Sequence, residues 1–268
     1  MPRIRLITIP MSHYCEKARW AIERLGLPYY EERHLQGFHY LRSLWCSGGP
    51  HVPVLVDNEQ VITDSTSILK HLDHYASPEA RLYPDNPRER QQVEELEDQF
   101  DEVLGVESRR WIYFHYLPHP RAALHVANQG VPAAEKFLGP LCYPFMKSII
   151  RRRLRVYEPE VDAGLTRAQE IVHKIDELLF DGREYLVGDR FSAADLTLAC
   201  MMAPFVLPAQ YGIRLPTIEE APVTMRETVR EFRNTDAGQF ALRLFAMKRR
   251  PAGAGLKRDT KIDEQLCL

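Results

Sequence analysis

The pattern of apolar residues changes once along this chain, and that change limits the fold more than any other feature. Up to about residue 77, short β-branched runs alternate with helical spacing; beyond about residue 88, no strand pattern competes with helix. Ile4 to Ile9 reads as a buried strand. From His13 to Leu25, Ala18, Ile22 and Leu25 fall at helical spacing, with Glu16, Lys17, Glu23 and Arg24 expected on the polar side and Gly26 as the stop. Tyr29 to Leu35 reads as a second strand, and a less regular helical segment runs through Leu41 and Leu44. Val52 to Val56 is a third strand, 57–60 a turn and Val61-Ile62 a short fourth strand. Thr63 or Asp64 then caps a helix through Ile68, Leu69, Leu72 and Tyr75. A βαβ unit followed by ββα should pair its first two strands in parallel and add an antiparallel hairpin.

Ser77 to Asn86, with Pro78 and Pro84, reads as a linker. Arg88 to about Tyr116 is one long amphipathic pattern that ends at Leu117-Pro118-His119-Pro120. Further helices are expected near 133–156, 166–180, 193–213 and 222–235. The spacing therefore predicts an α/β domain over 1–77 and an all-helical domain over 88–250. The polar, Gly- and Pro-bearing stretch from Arg249 reads as a loose tail, assigned to 251–268.

Composition narrows the function classes. With 268 residues, 45% hydrophobic and 27% charged, the chain has the ordinary mix of a globular protein with room for two domains. A formal net charge of -2 gives no global reason to expect nucleic acid. No apolar run is long enough to span a bilayer, so stable membrane insertion is not expected. Cys15, Cys46, Cys142, Cys200 and Cys267 are odd in number and widely spaced. That argues against a disulfide framework and against a structural zinc site, and it favours a reducing, cytoplasmic setting. No metal is expected.

Three features of the first domain carry chemistry. Ser12 stands where the first helix begins, beside free backbone N–H groups and the positive end of the helix dipole, a place that favours an anion such as a thiolate. Val52-Pro53 puts a proline at the start of an apolar strand, where it removes a ladder donor and where a cis bond would turn the preceding backbone towards a ligand. Asp64-Ser65 offers a carboxylate and a hydroxyl at another helix start, able to take an ammonium and a carboxylate. Each has an ordinary alternative when taken alone: an N-cap, an edge-strand proline and a second cap.

Order and spacing together resemble the glutathione transferase superfamily over about residues 3–240. The resemblance is clearest in Ser12-His-Tyr-Cys15-Glu-Lys-Ala-Arg-Trp, Val52-Pro53-Val-Leu-Val-Asp and Asp64-Ser65-Thr-Ser-Ile-Leu. Leu82-Tyr83-Pro84 and the capping segment Ser192-Ala-Ala-Asp195 extend it into the second half. It implies a thioredoxin-like N-terminal domain, an all-α C-terminal domain, and the cytosolic, serine-type, theta-like branch. Glutathione would be the co-substrate, with conjugation of its thiolate to a hydrophobic electrophile, a detoxification reaction, in a homodimer. Ser12 would activate the sulfur. Cysteine-type relatives place their nucleophile at that same position, whereas Cys15 occupies the second position of the frame and would serve a thiol reductase or peroxidase. A non-catalytic ligand-binding member is the third reading.

By the same resemblance, Val52 before a cis Pro53 would pair with the cysteinyl part of glutathione. Asp64 and Ser65 would hold its γ-glutamyl end, and His39 and His51 match positions that meet the glycyl carboxylate in some classes. The electrophile would meet Met11 and His13 from the first turn, and Trp111, Tyr113, Phe114 and Tyr116 near the end of the long helix. That aromatic cluster has core packing as its alternative. The region from about 117 to 160 would cover or shape the cleft. The basic run Arg151-Arg152-Arg153 reads as a solvated helix face, with phosphate or membrane contact as its other reading.

Overall fold

A computed structural model describes residues 4–249. The N-terminal part holds β1 (Ile4–Thr8), α1 (His13–Arg24), β2 (Tyr29–Arg33), α2 (His39–Ser47), β3 (Val54–Asp57), β4 (Gln60–Thr63) and α3 (Ser65–Leu72). The strands form a four-stranded sheet in the order β2-β1-β3-β4. β1 runs parallel to β2, with Leu6 opposite Glu31, and antiparallel to β3, with Ile7 opposite Val54. β3 and β4 form the hairpin, turning at Asn58, whose φ of 54° lies in the left-handed region. The expected mixed topology is present.

The helical part holds α4 (Pro87–Gln99), α5 (Gly105–Tyr116), α6 (Pro120–Ala127), α7 (Ala133–Arg153), α8 (Glu158–Leu179), α9 (Ala193–Val206), α10 (Arg226–Asn234) and α11 (Asp236–Lys248). The amphipathic pattern of 88–116 is interrupted by one π-helical turn, Phe100–Leu104, which joins α4 to α5. Every residue of α9 is buried. Asp195 holds its start, accepting from Ser192 N (2.8 Å), Ser192 Oγ (2.8 Å) and Leu186 N (2.9 Å). This helix stops at Val206, not near 213. Leu207 turns left-handed at φ 45°, ahead of Pro208, and the Arg233 guanidinium donates to the last carbonyls, Val206 O at 2.7 Å and Leu207 O at 2.9 Å.

Helix α1 departs from the sequence expectation. Glu16 and Lys17, expected on the polar side, are fully buried, and so is Arg19. The helix packs against α3 on one side and α9 on the other, and every residue from Cys15 to Ile22 is buried. Its charges are compensated in place. Lys17 Nζ meets Glu97 of α4 (2.8 Å) and Asp101 of the π-helical turn (2.5 Å). Arg19 bridges Glu16 and Glu31, and Gly212 N donates to Glu16 at 3.1 Å. Arg249, read as the start of the tail, is also buried; it meets Glu16 at 2.7 Å and also pairs with Glu23. A buried charge is tolerated only when paired and bonded, and α11 delivers the cation that Glu16 needs. The stretch assigned as tail, 251–268, lies outside the described residues. Among the described residues, no helix is long and apolar enough to cross a membrane.

Candidate functional site

The site begins at the turn from β1 into α1. Ser12 is the N-cap: its backbone is extended (φ -70°, ψ 124°) and its Oγ accepts the Cys15 N–H at 3.3 Å. Ser12 lines a cavity of about 320 Å³ between the sheet domain and the helical domain, within the size range of small-molecule sites. The π-helical turn fixes the helical part against the first turn of α1. Widening the helix there presents two carbonyls to the first turn of α1: Asp101 O accepts from Tyr14 Oη at 2.7 Å, and Gly105 O pairs with His13 Nε2 at 3.0 Å. A carbonyl only accepts, so the His13 proton sits on Nε2 and Nδ1 keeps its lone pair. Burial, aided by the Arg109 charge, pulls the His13 pKa down to about 3, so the ring is neutral. Gly105 has no side chain because there is no room for one: a Cβ would lie 2.5 Å from both Met201 Sδ and Tyr14 Oη.

The Val52–Pro53 peptide is cis, and Val52 lines the cavity beside Pro50 and His51. Arg109 reaches in from α5, stacked over Tyr14 at 5.6 Å, and its buried Nε has no hydrogen-bond partner among the described residues. Arg153 enters from the end of α7 and donates to Tyr40 Oη at 3.1 Å. Tyr113 donates to Gln36 Oε1 and closes one end, and Ile149, Ile150 and Leu154 form an apolar wall. Among the described residues, no aspartate or glutamate lines this cavity, whereas Arg109, Arg153 and His51 do. The electrostatics therefore suit a ligand carrying carboxylates.

The sequence-expected residues separate into groups. Met11, Ser12, His13, His39, His51, Val52 and Tyr113 line the main cavity. Tyr116 joins Met11 and His13 at a smaller apolar cavity of about 50 Å³ behind them. Trp111 reaches neither; it is core, packed on Phe205 with centroids 5.0 Å apart, which was the alternative weighed for the aromatic cluster. Phe114 packs against the same core from its margin. His39 is not a surface ring: its Nδ1 accepts from Gly37 N at 3.0 Å, and burial lowers its pKa to about 4. Pro53 and the start of α3 lie outside the lining. Asp64 caps α3 through Ser67 N (3.0 Å) from a strained φ of 74°, is exposed, and lies near enough to act electrostatically on Tyr14. Ser65 is buried.

Cys15 stands one turn inside α1 and is fully buried. Burial pushes its thiol up to about 11, outweighing the neighbouring Ser12 hydroxyl and the Arg19 charge, so the thiolate is disfavoured. Sequence reasoning missed Tyr14, Gln36, Tyr40 and Arg109, whereas the region from about 117 to 160, expected to cover or shape the cleft, supplies Ile149, Ile150 and Leu154 to its wall. In Glu107-Ser108-Arg109-Arg110, Arg109 lines the cavity while Arg110 pairs with Glu107 and donates to Leu154 O at 3.0 Å, a choice the residue types alone do not reveal. Among the described residues, no group of three or more His, Cys, Asp or Glu side chains is placed to hold a metal ion.

Comparison with known proteins agrees with this architecture. The family model for the glutathione S-transferase N-terminal domain matches residues 6–80, and that for the C-terminal domain matches residues 133–217. No curated protein matches the chain. Among solved structures, the chain is similar to a theta class glutathione S-transferase from the citrus canker pathogen Xanthomonas axonopodis pv. citri with glutathione bound. That likeness has a TM-score of 0.54 at 20% identity and covers 90% of this chain and 98% of that one. A glutathione S-transferase from Rhodospirillum rubrum F11 gives 0.55 at 21%, covering 91% and 99%. The beta-etherase LigF from Sphingobium sp. strain SYK-6 gives 0.56 at 17%, covering 90% and 98%.

Proposed function

The chain belongs to the glutathione S-transferase superfamily, and from that premise we propose that it transfers glutathione to a hydrophobic electrophile, with Ser12 as the residue that activates the sulfur. The observation that carries the reading is the contrast between two neighbouring side chains. Ser12 lines the interdomain cavity at the N-terminus of α1, while Cys15 is buried with its thiol raised to about 11. A glutathione thiol near Ser12 would receive a hydroxyl hydrogen bond and the field of the helix start, both of which favour the thiolate over the thiol. Ionisation releases the proton to solvent. The thiolate then attacks the electrophilic carbon, so that a sulfur–carbon bond forms as the bond to the leaving group breaks. Holding both reactants in one cavity converts an encounter into an oriented reaction.

The cationic, acid-free lining supports glutathione as the ligand, because the tripeptide carries two carboxylates. Arg109, with its unpartnered buried Nε, and His51 are the groups suited to them. Asp64 and Ser65 at the start of α3 would take the α-amino and α-carboxyl groups, and the Val52 backbone the cysteinyl unit. Met11, Tyr113 and the apolar wall of α7 would face the electrophile. A thiol reductase centred on Cys15 is disfavoured by the burial of that sulfur. A crystal structure with glutathione bound tests the proposal. The reading requires the sulfur within hydrogen-bond distance of Ser12 Oγ, and a sulfur beside Cys15 or a cavity that excludes the tripeptide would overturn it. We expect a homodimer by the same family membership, checked by sedimentation.

A further inference from the structure

Helix α7 exposes what a globular protein ordinarily hides. Phe137 is 84% exposed, Leu141 79% and Phe145 71%, and Leu138 stands beside them. Residues 137, 141 and 145 follow one another at i, i+4 and form a single stripe along the outward face. No charged side chain interrupts the helix between Lys136 and Lys147, and it ends in Arg151-Arg152-Arg153. The inward face is accounted for: Glu135 bonds Leu35 N (2.7 Å) and His34 (2.6 Å), Gly139 sits against Leu35, and Ile149 and Ile150 wall the cavity. The outward stripe is therefore not a core surface left over from imperfect packing.

Charge narrows what covers it. Residues 117–157 hold seven lysines and arginines and one acidic residue, the inward-turned Glu135, in a chain of net charge -2. A two-fold pairing of this face with itself would set a strongly basic segment against an equally basic one. An apolar stripe of Phe and Leu flanked by Lys and Arg, on a helix too polar to span, is instead the chemistry of an interfacial helix. We infer that α7 docks the protein on the surface of an anionic lipid bilayer, with Phe137, Leu141 and Phe145 in the headgroup boundary and Arg151 and Arg152 against the lipid charges. The opposite face of the same helix is the cavity wall, so docking would bring that wall to the membrane, the compartment in which apolar compounds concentrate. The docking itself is independent of the proposed chemistry.

Co-sedimentation with vesicles tests it. The full chain should pellet with phosphatidylcholine vesicles containing phosphatidylglycerol and not with phosphatidylcholine alone, and high salt should release it. R151Q/R152Q should lower the partition coefficient at least about tenfold, and F137S/L141S/F145S should abolish binding. All of these positions are exposed, so unfolding curves of both variants should match the parent. Failure of the parent to bind anionic vesicles overturns the inference. So does binding that the triple variant retains, or a triple variant whose only effect is to convert a sedimenting oligomer to monomer.

Discussion

Replacing Ser12 by alanine separates two jobs done by one hydroxyl. The first is local. Cys15 N–H loses its acceptor at 3.3 Å, and removal of an N-cap typically costs about 1 kcal/mol. Helix α1 is held on all sides by buried packing and by the Lys17 and Arg19 ion pairs, so this loss should lower Tm modestly and leave the fold intact. The second job is chemical. A hydrogen bond to a charged group contributes about 1.5–3 kcal/mol, and one pKa unit is about 1.4 kcal/mol, so the bound thiol should rise by about one to two units. At neutral pH that lowers the thiolate population, and with it the conjugation rate, by about 10- to 100-fold.

The assay is a pH titration of thiolate absorbance for bound glutathione, run beside conjugation kinetics with an aryl halide and a direct measurement of glutathione affinity. Ser12→Ala should shift the thiol pKa and kcat together and change affinity little, because the carboxylate-binding groups are elsewhere. Ser12→Thr keeps a hydroxyl and should restore part of the rate. An unchanged thiol pKa in Ser12→Ala would refute the argument. A loss of affinity without any change in thiol pKa would refute it equally, because the hydroxyl would then be anchoring the tripeptide and not its sulfur.

Other outcomes follow from the same geometry. Cys15→Ala should keep conjugation within about twofold, because the thiol is buried and its thiolate disfavoured; loss of the rate with an unchanged thiol pKa would return the reductase reading. Gly105→Ala should cost about 1–3 kcal/mol by denaturant unfolding, because the new Cβ would lie 2.5 Å from Met201 Sδ and Tyr14 Oη and push the π-helical turn off α1. Lys17→Met leaves Glu97 and Asp101 buried without their cation and should cost about 3–5 kcal/mol, with partial recovery when Glu97→Gln is added. His34 lies between Glu135 (2.6 Å) and Glu32 (3.1 Å); burial opposes its charge, but the two carboxylates outweigh it and hold the pKa at about 9. Its stabilisation is then complete below the ordinary value of 6.5 and disappears as pH rises through 9, a loss of about 2 kcal/mol after discounting solvent at its edge; His34→Gln should flatten the stability curve over that window.

What the sequence made legible is what is decided within a few residues. The strand run Ile4–Ile9, the cap at Ser12, the stop at Gly26 and the cap at Asp64 each depend on side chains and dihedrals one turn apart, and the structure has all of them. Helix α11 lies beyond the helices read from the sequence, although Ala237, Phe240, Ala241, Leu244 and Phe245 stand at helical spacing behind the Thr235 cap, a local signal as readable as those at Ser12 and Asp64. The end of α9 was overextended for a different reason. The apolar run continues past Val206, and what stops it is a backbone reversal at Leu207 sealed by Arg233, an element away in sequence.

The buried charges of α1 show why the site was only half legible. Glu16, Lys17 and Arg19 carry the sequence signature of a solvated helix face, since periodicity assumes that a charge seeks water. It cannot register that Glu97 from α4, Asp101 from the π-helical turn, Glu31 from β2 and Arg249 beyond α11 converge on the same helix. Each of those partners is remote in sequence, and each would be costly to bury alone. Their convergence has a consequence for the cavity. α1 bears Ser12 at its tip and is gripped by both domains, so the distance from that hydroxyl to Arg109 and to the π-helical turn is fixed by ion pairs, not by a flexible hinge. Breaking the Lys17 cluster should therefore impair conjugation more than glutathione affinity, by letting the two walls separate while each keeps its own ligand groups. Equal losses in both would place the cluster in folding alone.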